Sequence, residues 1–326
     1  MSAEKILEVE GLKKVFRSRN TPLFGKGGHE VRAVDNVSFT LYRGETLGIV
    51  GESGCGKSTT ARMIIGLLQP SGGHVRFHGR DIQQADKQER KRLTRNLQMV
   101  FQDPFSSLNP RHNVKTILSE PFIIHNQKLS VREVHQAVVE LLALIGLDES
   151  AMKKYPHEFS GGQRQRLNIA RAIALRPEII ICDESVSALD VSIQAQILNL
   201  LKRLQAELEL TYLFVSHDLS VVRYISDRIA VMYLGRIVEM GDCDAIYREP
   251  KHPYTRLLFS AIPAATPFEK KTLRVSQVGE AAALPSGSAG CAFYSRCDRA
   301  SPRCHQPVPD IVFDDGRQVA CHLYGA

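Results

Sequence analysis

The stretch Glu45-Thr-Leu-Gly-Ile-Val50, running into Gly51-Glu-Ser-Gly-Cys-Gly-Lys57-Ser58, decides the fold. Its first part reads as a short buried strand. Residues 57–68 read as a helix that opens directly on a Gly-rich turn. Residues 51–58 fit G-x-x-x-x-G-K-S between a strand and a helix, which is the context that gives the string meaning. The glycines let backbone N–H groups converge on phosphate oxygens, and the helix N-terminus adds partial positive charge. Lys57 is placed to reach the β- and γ-phosphates, and the Ser58 hydroxyl to ligate Mg²⁺. Gly51, Glu52, Ser53, Gly54, Cys55, Gly56, Lys57, Ser58 and Thr59 are therefore the candidate phosphate-binding residues.

A second part of the site is Glu178-Ile-Ile-Ile-Cys-Asp183-Glu184. Three isoleucines make a buried strand that delivers two acids at its C-terminal end, where ligands sit in open α/β sheets. Asp183 is the expected Mg²⁺ partner. Glu184 is placed to orient or deprotonate a water.

Further strands are read at ILEVEGLKKVF, AVDNVSFTLY, LQMVF (97–101) and TYLFVS (211–216). Helices are read within 104–159 and at 162–175 and 193–208. Ser130 and Glu133 form a capping-box pair, and Val131, Val134, Val138, Leu141 and Ile145 then recur at helical spacing. Strands and helices alternate, which predicts a parallel α/β core. A Gly-bearing loop, SRNTPLFGKGGHE, separates the first two strands. Pro250, Pro253, Pro263 and Pro267 mark a boundary near 250. The segment beyond 264 has little periodicity and needs a staple to fold alone.

The chain has 326 residues, 43% hydrophobic and 24% charged, which is ordinary for a globular protein of about two domains. No apolar run approaches the ~18 residues of a membrane-spanning helix. The start, MSAEKILEVEGLKK, lacks the apolar core of a signal peptide, so a cytoplasmic protein is expected. The net charge of +7 is compatible with a nucleic acid, an anionic ligand or an anionic membrane surface. No Arg-rich arm or RNA-binding module appears, and no nucleic-acid partner is expected.

Phe159-Ser160-Gly161-Gly162-Gln163 resembles the LSGGQ signature of ATP-binding cassette ATPases, with Phe in the Leu position. The other elements of that family follow in order. Gln102 in VFQD resembles the Q-loop, Ser187-Ala188-Leu189-Asp190 the D-loop, and His217 in FVSHD the switch histidine. Phe16 fits the aromatic that stacks on adenine. Ser185 departs from the family, which usually has Pro after the catalytic Glu. The resemblance covers residues 5–245.

The resemblance implies an α/β fold of the ABC-type P-loop NTPase kind, with a RecA-like parallel sheet core, an antiparallel β subdomain and a helical subdomain. The expected nucleotide-binding domain is 1–250, with the helical subdomain at about 104–176 and a small irregular C-terminal region at 251–326. It implies ATP as substrate, with Mg²⁺ held by Ser58, Gln102 and Asp183. Glu184, His217 and Gln102 become the catalytic candidates. Two subunits are expected to close head to tail, each ATP lying between one Gly51–Ser58 loop and the other subunit's Ser160–Gln163 segment.

His252-Pro253-Tyr254-Thr255, with LLFSAIP just behind it, resembles the segment closing the ATPase subunits of oligopeptide and dipeptide permeases. SSLNPR (106–111), YPHEFSGGQRQR (155–166) and VSALDVSIQAQ (186–196) agree, and the chain is most like the second ATPase subunit of a dipeptide importer. That implies a second ATPase subunit, two membrane permease subunits and, indirectly, a solute-binding protein. It implies a peripheral position on the cytoplasmic face of a bacterial inner membrane. Two alternatives stay open: a related importer for nickel, an opine or glutathione, and a soluble non-transport cassette ATPase.

Seven cysteines are unevenly spread: Cys55, Cys182 and Cys243 are scattered, while Cys291, Cys297, Cys304 and Cys321 fall within 31 residues. In a reducing cytosol such a group more often means metal than disulfides. The spacing C-x5-C-x6-C-x16-C has neither the tight pairs of zinc sites nor the spacing of common ferredoxin motifs. Resemblance to the C-terminal cysteine region of peptide-permease ATPases implies one iron–sulfur cluster of the 4Fe–4S type. Structural Zn²⁺ and unligated thiols are the alternatives.

Overall fold

The computed structural model describes residues 4–17, 30–125, 128–261 and 290–325. Residues 18–29 of the expected Gly-bearing loop, and Pro263 and Pro267, lie outside these. The chain opens with two long strands, β1 (Lys5–Arg17) and β2 (Glu30–Tyr42), paired antiparallel. Next come β3 (Thr46–Val50), α1 (Lys57–Ile64), β4 (Gly72–Phe77), β5 (Arg80–Asp81), α2 (Lys87–Asn96) and β6 (Leu97–Val100). The expected helix at 57–68 therefore ends a turn early. Helix α2 lacks an apolar stripe and buries none of its residues. A capping box between Asp86 and Glu89 starts it.

The expected helical stretch 104–159 is broken into pieces. It contains α3 (Pro104–Ser107), α4 (Val114–Ile124) and α5 (Val131–Leu144), then short 3₁₀ turns at Glu149–Lys153 and Pro156–Glu158. The Ser130–Glu133 capping box forms as read, with the Glu133 N–H donating to Ser130 Oγ at 3.3 Å. Val138, Leu141 and Ile145 are buried, whereas Val131 at the start of the stripe is exposed. Then follow α6 (Gly161–Ile173), β7 (Ile179–Asp183), α7 (Val191–Leu208), β8 (Thr211–Ser216) and α8 (Leu219–Ile225). The chain continues with β9 (Arg228–Tyr233), β10 (Arg236–Asp242), α9 (Cys243–Arg248), α10 (Pro253–Ser260), β11 (Ile311–Val312) and β12 (Gln318–Val319).

Among the described residues these strands form two sheets. The smaller is antiparallel, in the order β2-β1-β4-β5. The larger runs β11-β12-β10-β9-β3-β8-β7-β6. Its members β9, β3, β8, β7 and β6 are parallel neighbours. Side chains alternate across a strand, so each central strand feeds two cores. Ile179, Ile181, Leu213 and Val215 face α1 and the smaller sheet. Ile180, Cys182, Tyr212 and Phe214 face the core shared with the helices. Burial on both faces explains why EIIIC reads as a continuous apolar run.

The C-terminal region is joined to the rest of the fold. β12 pairs antiparallel with β10, and β11 with β12, so the segment extends the large sheet. Phe293 is buried and stands edge-on to Tyr233, ring centroids 5.3 Å apart, with Tyr254 5.5 Å away. This packing gives the segment apolar anchorage on the core of the large sheet. His252 caps α10 and is almost wholly buried. Its Nδ1 accepts the Tyr254 N–H at 3.0 Å. Burial, helped by the charge of Arg256, pushes its pKa down to about 3.

That shift has a sign. Below the ordinary value of 6.5 the unfolded chain takes up a proton at His252 that the folded chain refuses until about pH 3. Stability is therefore lost as pH falls through this window. Between pH 7.5 and pH 5 the urea midpoint of the wild-type chain is expected to drop more than that of His252→Gln. Equal drops would remove His252 as the source.

Candidate active site

The phosphate-loop candidate lies between β3 and α1, and its shape depends on glycines. Gly56 has φ 106°, and a Cβ added there would lie 2.2 Å from the Ala33 carbonyl oxygen. A Cβ on Gly51 would lie 2.1 Å from that of Met232. Neither position admits a side chain. Lys57 is buried, and its ammonium donates to the carbonyls of Gly51 at 2.8 Å and Glu52 at 2.9 Å. Ser53 and Gly54 are exposed, and Cys55 is buried. Desolvation pushes the Cys55 thiol up.

The strand β7 delivers the acids as expected. Ser58 Oγ donates to Asp183 Oδ1 at 2.7 Å. Burial raises the pKa of Asp183, opposed by that hydrogen bond and by Arg62 and Lys57. The Asp183 carboxylate and the Ser58 hydroxyl are oxygen donors of the kind that suits a hard cation such as Mg²⁺. Glu184 has φ 48°, an uncommon conformation for a residue with a side chain. Its N–H donates to the Val215 carbonyl at 2.9 Å, tying the turn to β8. Gln102 Nε2 donates to Glu184 Oε2 at 2.8 Å, and His217 Nδ1 lies 3.3 Å from Glu184 Oε1. Lys57, Ser58, Gln102, Asp183, Glu184 and His217 thus gather at the C-terminal ends of β3, β6, β7 and β8. The Ser187 hydroxyl donates to the Glu184 carbonyl at 2.9 Å, which fixes the start of the Ser187–Asp190 turn.

The Ser160–Gln163 segment is held separately. Ser160 caps α6: its Oγ accepts from the Gln163 N–H at 3.3 Å, and Gln163 Oε1 accepts from the Ser160 N–H at 3.1 Å. Ser160 and Gln163 are exposed. Gly162 is buried, and a Cβ there would meet Ile193 at 2.5 Å. Phe159, in the Leu position of the signature, is buried in the helical core. Ser185 is buried as well. Phe16 is 43% exposed at the end of β1, with the Lys14 ammonium 5.3 Å from its ring centre.

Two residues that the sequence reading did not connect with the loop touch it: the Glu52 N–H donates to Tyr254 Oη, and Arg296 grips the Glu52 carboxylate. Both come from more than 200 positions away, and no local pattern announces them.

The four C-terminal cysteines share one neighbourhood. Burial pushes the Cys291, Cys297 and Cys321 thiols up, and other members of the group add to each shift. Among the described residues, however, no set of three or more His, Cys, Asp or Glu side chains is arranged to hold a metal ion. The iron–sulfur and zinc expectations gain no support from this geometry.

Comparison with known proteins agrees with the site. A family described as "ABC transporter" matches residues 34–187, and "Oligopeptide/dipeptide transporter, C-terminal region" matches 238–304. The oligopeptide transport ATP-binding protein AppF of Bacillus subtilis is 51% identical over 324 residues, covering 98% of each chain. The oligopeptide transport ATP-binding protein OppF of Escherichia coli is 46% identical, covering 97% of this chain and 95% of its own. Among solved structures, cbiO1 of Clostridium perfringens, part of the ABC transporter complex cbiONQ, superposes with a TM-score of 0.64. It shares 30% identity over 76% of this chain and 92% of its own. The chain is an ABC-type ATPase and belongs to the ATP-binding subunits of oligopeptide and dipeptide transporters. Among the described residues no helix is long and apolar enough to cross a membrane.

The Ser160 cap can be tested apart from catalysis. Ser160→Ala is expected to cost about 1 kcal/mol of stability in urea unfolding, and Ser160→Asp to cost little, since an aspartate also caps. An unchanged midpoint in Ser160→Ala would show that the cap contributes nothing.

Proposed function

We propose that residues 51–58 bind the phosphates of Mg·ATP and that Glu184 is the base for its hydrolysis, which powers peptide import. The observation that carries this reading is the convergence of Lys57, Ser58, Asp183, Glu184, Gln102 and His217 on one edge of the parallel sheet. Loop amides and Lys57 bind phosphate oxygens. Lys57 exchanges the Gly51 and Glu52 carbonyls for the phosphates. Ser58, Gln102 and Asp183 would hold Mg²⁺, which neutralises charge on the β- and γ-phosphates. Glu184 accepts the proton of the attacking water, oriented by the Gln102 amide and by His217. The His217 ring, 52% exposed, also reaches the γ-phosphate. Phe16 stacks on adenine.

In this reading the site is completed by a second ATPase subunit. Ser160 and Gln163 are exposed at the helix N-terminus that Gly161 and Gly162 open, and such an end suits an anion. They bind the γ-phosphate of ATP held by the partner, while Ser187, Ala188, Leu189 and Asp190 link that contact to Glu184. A related cassette, MJ0796, is known as a dimer in a post-hydrolysis state with ADP and Pi; it is 29% identical, with a TM-score of 0.63. The partner is a sister ATPase, with two membrane permease subunits and a solute-binding protein completing the importer. The chain sits peripherally on the cytoplasmic face of the inner membrane. Residues 1–250 form the nucleotide-binding domain, with a helical subdomain at about 104–176, and 251–326 the C-terminal region.

Glu184→Gln is expected to bind Mg·ATP as the wild type does and to lose at least ~100-fold in turnover, because an amide accepts no proton. Turnover close to wild type would remove Glu184 from its role.

The four-cysteine reading is retained as a 4Fe–4S site, with zinc as its rival. What supports it is resemblance: the match to the oligopeptide/dipeptide transporter C-terminal region spans residues 238–304, which include Cys291, Cys297 and Cys304. Anaerobically purified chain is expected to be brown, with about four irons and four sulfides per chain. A colourless preparation carrying one zinc would replace the assignment.

A further inference from the structure

The phosphate loop is held from outside by the C-terminal region. Arg296 forks onto Glu52, with Nη1 3.0 Å from Oε2 and Nη2 3.1 Å from Oε1. Tyr254 Oη accepts the Glu52 N–H at 3.0 Å. One residue of the loop is thus tethered by its side chain and by its backbone.

Both tethers are rigid. Tyr254 is fully buried, its ring 4.5 Å from Tyr233 at the end of β9. Arg296 also donates to Tyr233 Oη at 3.4 Å and lies 5.7 Å from the ring centres of Tyr233 and Phe293. It sits on the short turn Tyr294–Arg296, which is closed by the Arg296 N–H to Phe293. That turn is fastened to the rest of the chain. Arg236 donates to the Gly290 carbonyl at 3.1 Å while paired with Asp35, and the Cys291 N–H donates to the Cys304 carbonyl at 2.8 Å.

The loop needs such support for two physical reasons. A glycine-rich segment loses much conformational entropy when ordered. Lys57, which pins Gly51 and Glu52 from inside, must let go of their carbonyls to serve the phosphates. The second reason is charge. Glu52 places a carboxylate within the loop that receives a polyanion. A paired carboxylate repels that ligand far less than a free one.

We propose that Arg296 and Tyr254 are positioning residues for the nucleotide, with Arg296 both fixing and neutralising Glu52. The proposal rests on the reading of residues 51–58 as the phosphate loop. Affinity for ATP then depends on the C-terminal turn.

The test is equilibrium binding of Mg·ATP to the full-length chain, with steady-state kinetics in the assembled transporter. Arg296→Ala is expected to weaken binding about fivefold at low salt, with the change in KM rather than kcat. Adding Glu52→Gln to Arg296→Ala is expected to recover most of that loss, because the unpaired carboxylate is gone. Arg296→Lys, which keeps the charge but not the fork, is expected to fall between wild type and Arg296→Ala. Tyr254→Phe is expected to weaken binding through the freed Glu52 N–H. Wild-type affinity in Arg296→Ala would overturn the proposal. So would a double variant as weak as Arg296→Ala, which would indicate general damage to the fold. Lys57→Ala is the control: ATP binding that survives it would overturn the phosphate-loop reading itself.

Discussion

Five adjacent parallel strands buried on both faces can display polar groups only at their ends. That constraint organises the molecule. The C-terminal ends of β3, β6, β7, β8 and β9 lie along one edge. From that edge the chain presents the Gly51 loop, Gln102, Asp183 with Glu184, His217 and the Tyr233 hydroxyl. None of these residues is near another group in sequence, yet parallel register brings them together. Strand interiors supply apolar burial, and strand ends supply chemistry. The hydrogen bond from the Glu184 N–H to Val215 shows how tightly the two are joined, because the acid at the end of β7 is fixed by the backbone of the neighbouring strand.

The helix on the other side of the site follows a different rule. Ser160 and Gln163 satisfy each other in a capping box, so the N-terminus of α6 needs no further partner within the chain. Its exposed donors remain directed outward. A capped helix end that stays open to solvent is where the proposed contact with a second subunit's nucleotide would form.

Legibility in the sequence tracked how local each cause was. The strand-turn-helix around Gly51–Ser58 is specified by consecutive residues, as are the Ser130–Glu133 cap and the apolar run ending in Asp183. These stand where they were read. Helix α2 was missed because it buries nothing and shows no stripe, although Asp86 and Glu89 carried a cap signal. Strands β9 and β10, and the short strands β11 and β12, were also not singled out, since their pairing depends on distant edges. The C-terminal region looked too poor in core to fold, but Phe293 and Val319 borrow a core already formed. Arg296 was beyond reach for the same reason: its meaning lies in a carboxylate 244 positions earlier.

That separation also has a meaning in time. A chain made at about 5–20 residues per second emerges N-terminus first. Glu52 is thus synthesised roughly 12–50 s before Arg296, at that rate over 244 residues. β10 (Arg236–Asp242) is made late in that interval, and its edge stays open until β12 (Gln318–Val319) follows Arg296. Until Arg296 is made, the growing chain holds the Gly51–Ser58 loop without its Arg296 contact. Arg296 and then β12 follow in turn, so the proposed loop tether and the covered strand edge are completed only as the C-terminal region is made.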